Sequence, residues 1–307
     1  MSAVLNLSEI RSNKQSRKTQ YETEFDPEYG VLWAYINAED NQCFTTSLLD
    51  DIRSVDSEVI ANEGHFYHEG ERTPINYYVV GSKKPSVFSF GGDLALFSTL
   101  IKLRDRDALF AYAELCIDNL FPKIQNFFCD SITTISLVQG DALGGGFETV
   151  LSSDLIIAEE HTKMGLPEIL FNLFPGMGAY SLLSRKIGMS ATEKLITSGD
   201  ILNAEQLYKL GIVDILAPTG MGEAYVYDYI KTNHRKRNGL QAIHKTRNLV
   251  NPITREELMQ ITELWVDAAL RLDEKDLKMM HRLVRAQSKR IENNVLSSNV
   301  AEQHQTV

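Results

Sequence analysis

The sequence is short of the residues that would suit it to several common tasks. Its 307 residues hold three cysteines, Cys43, Cys116 and Cys129, an odd and widely spaced set that supplies neither a disulfide framework nor a CxxC metal site. No apolar run approaches the roughly 20 residues of a membrane-spanning helix, and Met1 to Thr19 lacks the apolar centre of a signal peptide. A cytoplasmic protein with reduced thiols is expected. Positive charge is scarce too: 31 Lys and Arg against 41 Asp and Glu give a formal net charge of −10, and most of such a surface repels a nucleic-acid backbone. Also missing are a G-x-S-x-G elbow, a Walker loop and an H-E-x-x-H motif. Gly176-Met-Gly178 lacks the third glycine of a dinucleotide fingerprint, and the histidines are scattered. Neither a metal nor a resident cofactor is expected.

What is present suits one large α/β domain with appendages. Val31–Ile36 reads as a strand, and Thr46 to Ile60 spaces Leu48, Leu49, Ile52, Val55 and Val59 at helical intervals. Ile75 to Val80, Val87 to Phe90, Ile132 to Val138 and Leu155 to Ala158 read as strands. Leu94 to Leu103, Ala108 to Phe121, Gly144 to about Ser153 and Tyr180 to Ile187 read as helices. Such alternation implies a largely parallel sheet covered by helices. The C-terminal third reads as two amphipathic helices. One opens with a T-x-x-E capping box, Thr254 and Glu257, and carries Leu258, Ile261, Trp265, Ala268 and Leu272 on one face. The other carries Leu277, Met280, Leu283, Val284 and Gln287. The expected organisation is a polar arm over 1–22, a catalytic core over 23–220, a helical region over 221–295 and a polar tail over 296–307.

Three stretches carry the chemistry. In Ser136-Leu-Val-Gln-Gly-Asp-Ala-Leu-Gly-Gly-Gly-Phe-Glu148 a strand runs into three glycines and then a helix, which lets a ligand approach open backbone amides. A developing negative oxygen is stabilised there. Phe88-Ser-Phe-Gly-Gly-Asp-Leu-Ala-Leu-Phe97 is a second glycine turn between strand and helix. Two such turns can each give an amide to one oxyanion hole, with Asp93 as a helix cap. In Gly165-Leu-Pro-Glu168, followed by Ile-Leu-Phe, the glutamate has apolar neighbours that disfavour its ionisation and suit it to general acid work.

Together these stretches resemble the crotonase (enoyl-CoA hydratase/isomerase) superfamily over about residues 30–220. In that family A-L-G-G-G-x-E, followed twenty residues after its glutamate by the glutamate of G-x-P-E, marks the hydratase-type subset; here these are Glu148 and Glu168. The resemblance implies a spiral of ββα units with a C-terminal helical region. It also makes Glu148 and Glu168 the acid/base pair, and the amides of Gly92 and Gly145 the oxyanion hole.

A closer resemblance is carried by Phe-Gly-Gly-Asp-Leu-Ala-Leu-Phe, by Leu-Pro-Glu-Ile-Leu-Phe-Asn-Leu-Phe-Pro-Gly-Met-Gly-Ala-Tyr-Ser, and by Ile-Thr-Glu-Leu-Trp-Val-Asp and Leu-Val-Arg-Ala-Gln-Ser. These are similar to the diffusible signal factor synthases. That family makes cis-2-unsaturated fatty acid signals for bacterial quorum sensing from 3-hydroxyacyl groups on acyl carrier protein, by dehydration and thioester cleavage. The substrate arrives as a phosphopantetheine thioester. The resemblance implies that Leu143, Met177, Trp265 and Leu283 line the acyl pocket, and that a sensor's receiver domain is a possible partner. A homo-oligomer, trimer or dimer, is expected. Basic stretches at Arg11 to Lys18 and Lys231 to Arg247, and Lys83, Lys84, Lys102 and Arg104 near the first glycine turn, are candidates for steering an acidic carrier. The alternatives to the signal synthase are an ordinary enoyl-CoA hydratase of fatty acid metabolism and a non-catalytic partner of a signalling receiver domain.

Overall fold

The computed structural model describes residues 18–38, 42–84 and 86–285. Arg11, Lys14, Arg17, Gln287 and the 296–307 tail lie outside the described residues.

Two sheets are built in step. Strands β1 (Tyr21–Asp26), β2 (Val31–Ile36), β5 (Tyr77–Ser82), β7 (Thr133–Val138), β9 (Leu155–Glu159) and β12 (Ile215–Ala217) form a sheet in the order β1-β2-β5-β7-β9-β12. It is parallel except where β1 joins β2. Short strands β6 (Val87–Ser89), β8 (Asp141–Leu143), β10 (Lys163–Gly165) and β11 (Ile201–Asn203) form a second sheet in the order β11-β10-β8-β6. Strands β5, β7 and β9 are each followed within a few residues by a short partner, β6, β8 and β10, so every turn of the chain adds one strand to each sheet. A helical segment then carries the chain to the next turn, which is the expected spiral of ββα units. Strands β3 (His65–His68) and β4 (Glu71–Pro74) form a separate hairpin.

Strands β2 and β7 are buried along their whole length, as parallel strands covered on both faces must be. Side-chain alternation splits β2 between two cores. Leu32, Ala34 and Ile36 enter the larger core beneath α1 (Thr46–Ala61) and α3 (Arg106–Ile124), while Val31, Trp33 and Tyr35 pack under Val226 and Ile230 of α8 (Gly222–Asn233). The remaining helices are α2 (Leu94–Leu103), α4 (Gly145–Leu151), α5 (Ala179–Ile187), α6 (Met189–Ser198), α7 (Ala204–Lys209), α9 (Arg237–Val250) and α10 (Arg255–Ala269). A last helix, α11, runs over 274–285.

Several expectations need correcting. Among the described residues the C-terminal third holds four α-helices rather than two, because α8 and α9 precede the amphipathic pair. The capping box forms only on one side. Thr254 accepts the amide of Glu257 at 3.1 Å, but the Glu257 carboxylate is drawn away into a two-pronged contact with Arg185 (2.9 and 2.8 Å) and a bond from Ser181. A charge-assisted fork outcompetes a single bond to a backbone amide, and here it ties α10 to α5. The first strand begins at Tyr21, a buried residue whose hydroxyl meets that of Tyr78 at 3.0 Å.

Candidate active site

Strands β6 and β8 are parallel neighbours, so the glycine turns that follow them come side by side. The approach is too close for any side chain at Gly91: with φ at +85°, a methyl there would stand 2.6 Å from Gly145 N and 2.8 Å from Leu143 O. The Cβ position of Gly145 lies only 3.4 Å from Gly92 N. Among the described residues, neither the Gly92 nor the Gly145 amide is taken up by a protein acceptor. Gly145 opens α4, so its N–H is one of the helix's unfilled donors at the positive end of the dipole. Two open amides from neighbouring turns are the arrangement that an oxyanion hole requires.

The first turn is braced from outside. Phe44 N donates to Gly91 O at 2.7 Å and Phe90 N to Gln42 O at 2.6 Å. Tyr112 donates its hydroxyl proton to Phe44 O and accepts from Asp93 N at 3.2 Å. Asp93 caps α2 as expected, accepting from Ala95 N and Leu96 N at 3.1 and 2.9 Å.

Glu148 projects from α4, one turn beyond the hole, and is 1% exposed. Its Oε1 accepts from Met177 N at 2.8 Å and Ala179 N at 2.9 Å. Burial raises its carboxyl to about 7 against the lowering pull of those amides. Glu168 sits in a 3₁₀ turn (Pro167–Phe171) after β10. Its Oε1 hangs over Gly144, while its Oε2 is sequestered with no hydrogen-bond partner. Burial first, and the nearby Glu148 charge second, push Glu168 up to about 8. Burial and the nearness of a second carboxyl therefore hold both groups above the ordinary carboxylate range, and the two titrate as a coupled pair.

Both glutamates, Gly92, Gly145, Met177, Trp265 and Leu283 line one cavity, mostly apolar walls with a few convergent polar groups, the make-up of a site for an organic ligand. Leu143 does not line it; its side chain packs behind the hole with Val87 and Phe90, and its carbonyl is what crowds Gly91. The sequence reasoning missed Phe97, Tyr112, Cys116 and Phe171, which also line the cavity. Phe97 and Phe171 stand inside the stretches that drew attention. Tyr112 and Cys116 have no local signal and arrive because α3 packs on α1, α2 and α10. Trp265 meets Phe97 edge to face at 5.1 Å and forms the lid side of the cavity.

Several of the candidate cations are engaged. Lys83 pairs with Glu24 at 2.6 Å and lies over Tyr35, Lys245 pairs with Asp130, and Arg247 with Asp154. Arg104 reaches the carbonyl of Leu270, and Lys102 lies 3.5 Å from His281. Among the described residues no three His, Cys, Asp or Glu side chains are grouped to hold a metal ion, and no helix is long and apolar enough to cross a membrane.

The family model for enoyl-CoA hydratase/isomerase matches residues 71–263, which takes in both glutamates and both glycine turns. The fatty acid oxidation complex subunit alpha of Vibrio cholerae is 28% identical over 196 residues, covering 63% of this chain and 25% of the relative. The chain thus spans about a quarter of that curated relative's length. Human mitochondrial delta3-delta2-enoyl-CoA isomerase superposes with a TM-score of 0.72 at 16% identity, over 89% of this chain and 99% of the other. The Pseudomonas aeruginosa protein DspI does so with a TM-score of 0.62 at 22% identity, over 80% of this chain and 86% of the other. At these identities the two structures share the fold.

Proposed function

For a chain that belongs to the enoyl-CoA hydratase/isomerase family, we propose that Glu148 and Glu168 dehydrate a 3-hydroxyacyl thioester and then cleave it, releasing a cis-2-unsaturated fatty acid signal. The observation that carries this reading is the pair itself: two carboxyls in one apolar cavity, one held by two amides and one with an unpartnered oxygen, beside two open backbone amides.

In the elimination one carboxylate takes the C2 proton and the thioester oxygen gains enolate charge, which the Gly92 and Gly145 amides hold. The enolate's electron pair then expels the C3 hydroxyl, which leaves as water with the proton of the other carboxyl. The pair ends as it began, singly protonated, but with the proton moved across. That state suits hydrolysis: the new carboxylate deprotonates water, the same two amides hold the tetrahedral oxyanion, and the protonated partner neutralises the departing thiolate. A second transfer restores the start. An acyl carrier protein is the proposed donor, and an apolar cavity closed by Trp265 and Leu283 accommodates its acyl chain.

Incubating the protein with 3-hydroxydodecanoyl carrier protein and analysing products by mass spectrometry tests this. Free cis-2-unsaturated acid is the expected product; intact thioester after long incubation overturns it. The likeness to a fatty acid oxidation subunit favours a second reading, reversible hydration of enoyl-CoA esters, for which a resting proton on Glu168 and an ionised Glu148 are also suited. Rapid hydration of crotonyl-CoA with no acid released would decide for it.

A further inference from the structure

Behind the catalytic cavity lies a second chamber that the proposed chemistry leaves unused. The two share Cys116 and Met177 as a common wall. Part of the chamber's lining is apolar, with Phe44, Leu49 and Val80, and part is polar, with Asp56, Asn119 and Lys123. All three polar side chains are more than nine-tenths buried.

Their hydrogen bonding is incomplete. Tyr78 donates to Asp56 Oδ1 at 2.9 Å, and the Tyr78 hydroxyl meets that of Tyr21. Asn119 gives its amide to Leu115 O at 2.8 Å, but its Oδ1 is buried with no partner. Lys123 Nζ donates to Thr149 O at 2.7 Å and at 3.5 Å to Ser136 Oγ. Asp56 and Lys123 make no ion pair with each other, and burial raises the carboxyl of Asp56 while lowering the amine of Lys123. An orphaned acceptor in such a place is destabilising unless something donates to it.

We infer that the chamber receives the far end of the acyl chain, and that it selects chains ending in a hydroxyl group, with Asn119 Oδ1 accepting from that hydroxyl. The inference rests on the acyl-thioester reading of the cavity. Size supports it: a free volume of about 30 Å³ holds about two atoms of water-oxygen size, the count of a terminal CH₂–OH. Chemistry supports it as well. A hydroxyl both donates and accepts, so it answers Asn119 and Lys123 together. A methyl end would satisfy neither, and a carboxylate end would bury a further charge beside Asp56. Entry requires the common wall to open, and the flexible Met177 side chain is the part of it suited to move while its backbone amide stays committed to Glu148.

The test is calorimetric binding to the full chain of straight-chain fatty acids and their ω-hydroxy counterparts, matched across a graded series of lengths. The expected result is one length window in which the ω-hydroxy acid binds about tenfold tighter, the effect of one to two added hydrogen bonds. Asn119→Leu should erase that preference. Leu49→Phe, which fills the chamber from a wall that the catalytic cavity does not share, should erase it too while sparing shorter acids, and it serves if Asn119→Leu fails to fold. If plain acids bind and hydroxylated ones bind no better at any length, the chamber holds water only and this inference falls alone. If no acid of either kind binds, the acyl-pocket reading falls with it.

Discussion

Glu168 reaches over Gly144 so closely that a methyl group on that glycine would come within 2.6 Å of its Oε1. The Glu168 carboxyl and the glycine at the N-cap of α4 are therefore packed directly against each other. Gly144→Ala should displace Glu168 and strain a backbone held at φ +54°. Misplacing a reacting group by about 1 Å costs on the order of 100-fold in rate. Turnover of the thioester should fall by at least that much, with a folded circular dichroism spectrum retained. A variant with near-normal kcat would show that the contact is incidental.

The two raised carboxyls set a pH profile. Chemistry that needs one ionised and one protonated member should weaken below about 7, where Glu148 becomes protonated, and above about 8, where Glu168 ionises. A bell-shaped kcat with limbs near these values is expected. Limbs near pH 4 to 5, those of ordinary carboxylates, would contradict the burial-driven shifts.

Stability should follow the same groups with a definite sign. Folded-state values near 7 and 8 lie above the unfolded value of about 4.3, so the native protein holds the extra protons. Their stabilising contribution is full below about pH 4 and is lost as pH rises through 7 to 8. Glu148→Gln/Glu168→Gln should therefore gain in melting temperature relative to the parent as pH rises across that window. A constant difference would argue that neither carboxyl is shifted.

Tyr112 acts on the reaction through the loop it braces. Tyr112→Phe keeps the ring in the cavity but removes its hydrogen bonds to Phe44 O and Asp93 N. Loosening the turn that holds the Gly92 amide should lower kcat by about ten- to a hundredfold, short of the ~100- to 1,000-fold of losing a hole donor outright, with KM little changed. A rise in KM with kcat intact would instead assign Tyr112 to substrate binding.

Trp265 closes the cavity from α10, 6% exposed and packed on Phe97. Trp265→Ala should cost about 3–5 kcal/mol of stability, read as a lowered denaturation midpoint, and should weaken long acyl substrates more than short ones. Trp265→Phe, which keeps an aromatic ring there, should restore most of both. Equal loss for all chain lengths would mean the indole holds the fold and not the chain.

Much of this was legible along the chain. Val31–Ile36 and Leu94–Leu103 fall where periodicity puts them, because a buried strand and an amphipathic helix write their own burial into the residue order. The three-residue strands β8, β10 and β11 did not show. Three residues are too few to display an alternation, and these strands exist through their pairing with one another. Glu257 was misread for a related reason: the competing partner, Arg185, is 72 positions away.

The sequence by itself determined the identity and spacing of the candidate groups, since glycine turns, capping residues and apolar flanks act over a few residues and leave a local pattern. Glu148 and Glu168 could be picked out before any coordinates. Only the tertiary structure decided what those groups are worth: that β6 and β8 lie side by side and bring Gly92 to Gly145, that two amides from Met177 and Ala179 hold Glu148, and that Tyr112, Cys116 and Trp265 close the site from distant helices. Proton affinity depends on how much water a carboxyl loses and which charges face it, and those are properties of the packed molecule, set by contacts between residues that no short stretch of sequence contains together.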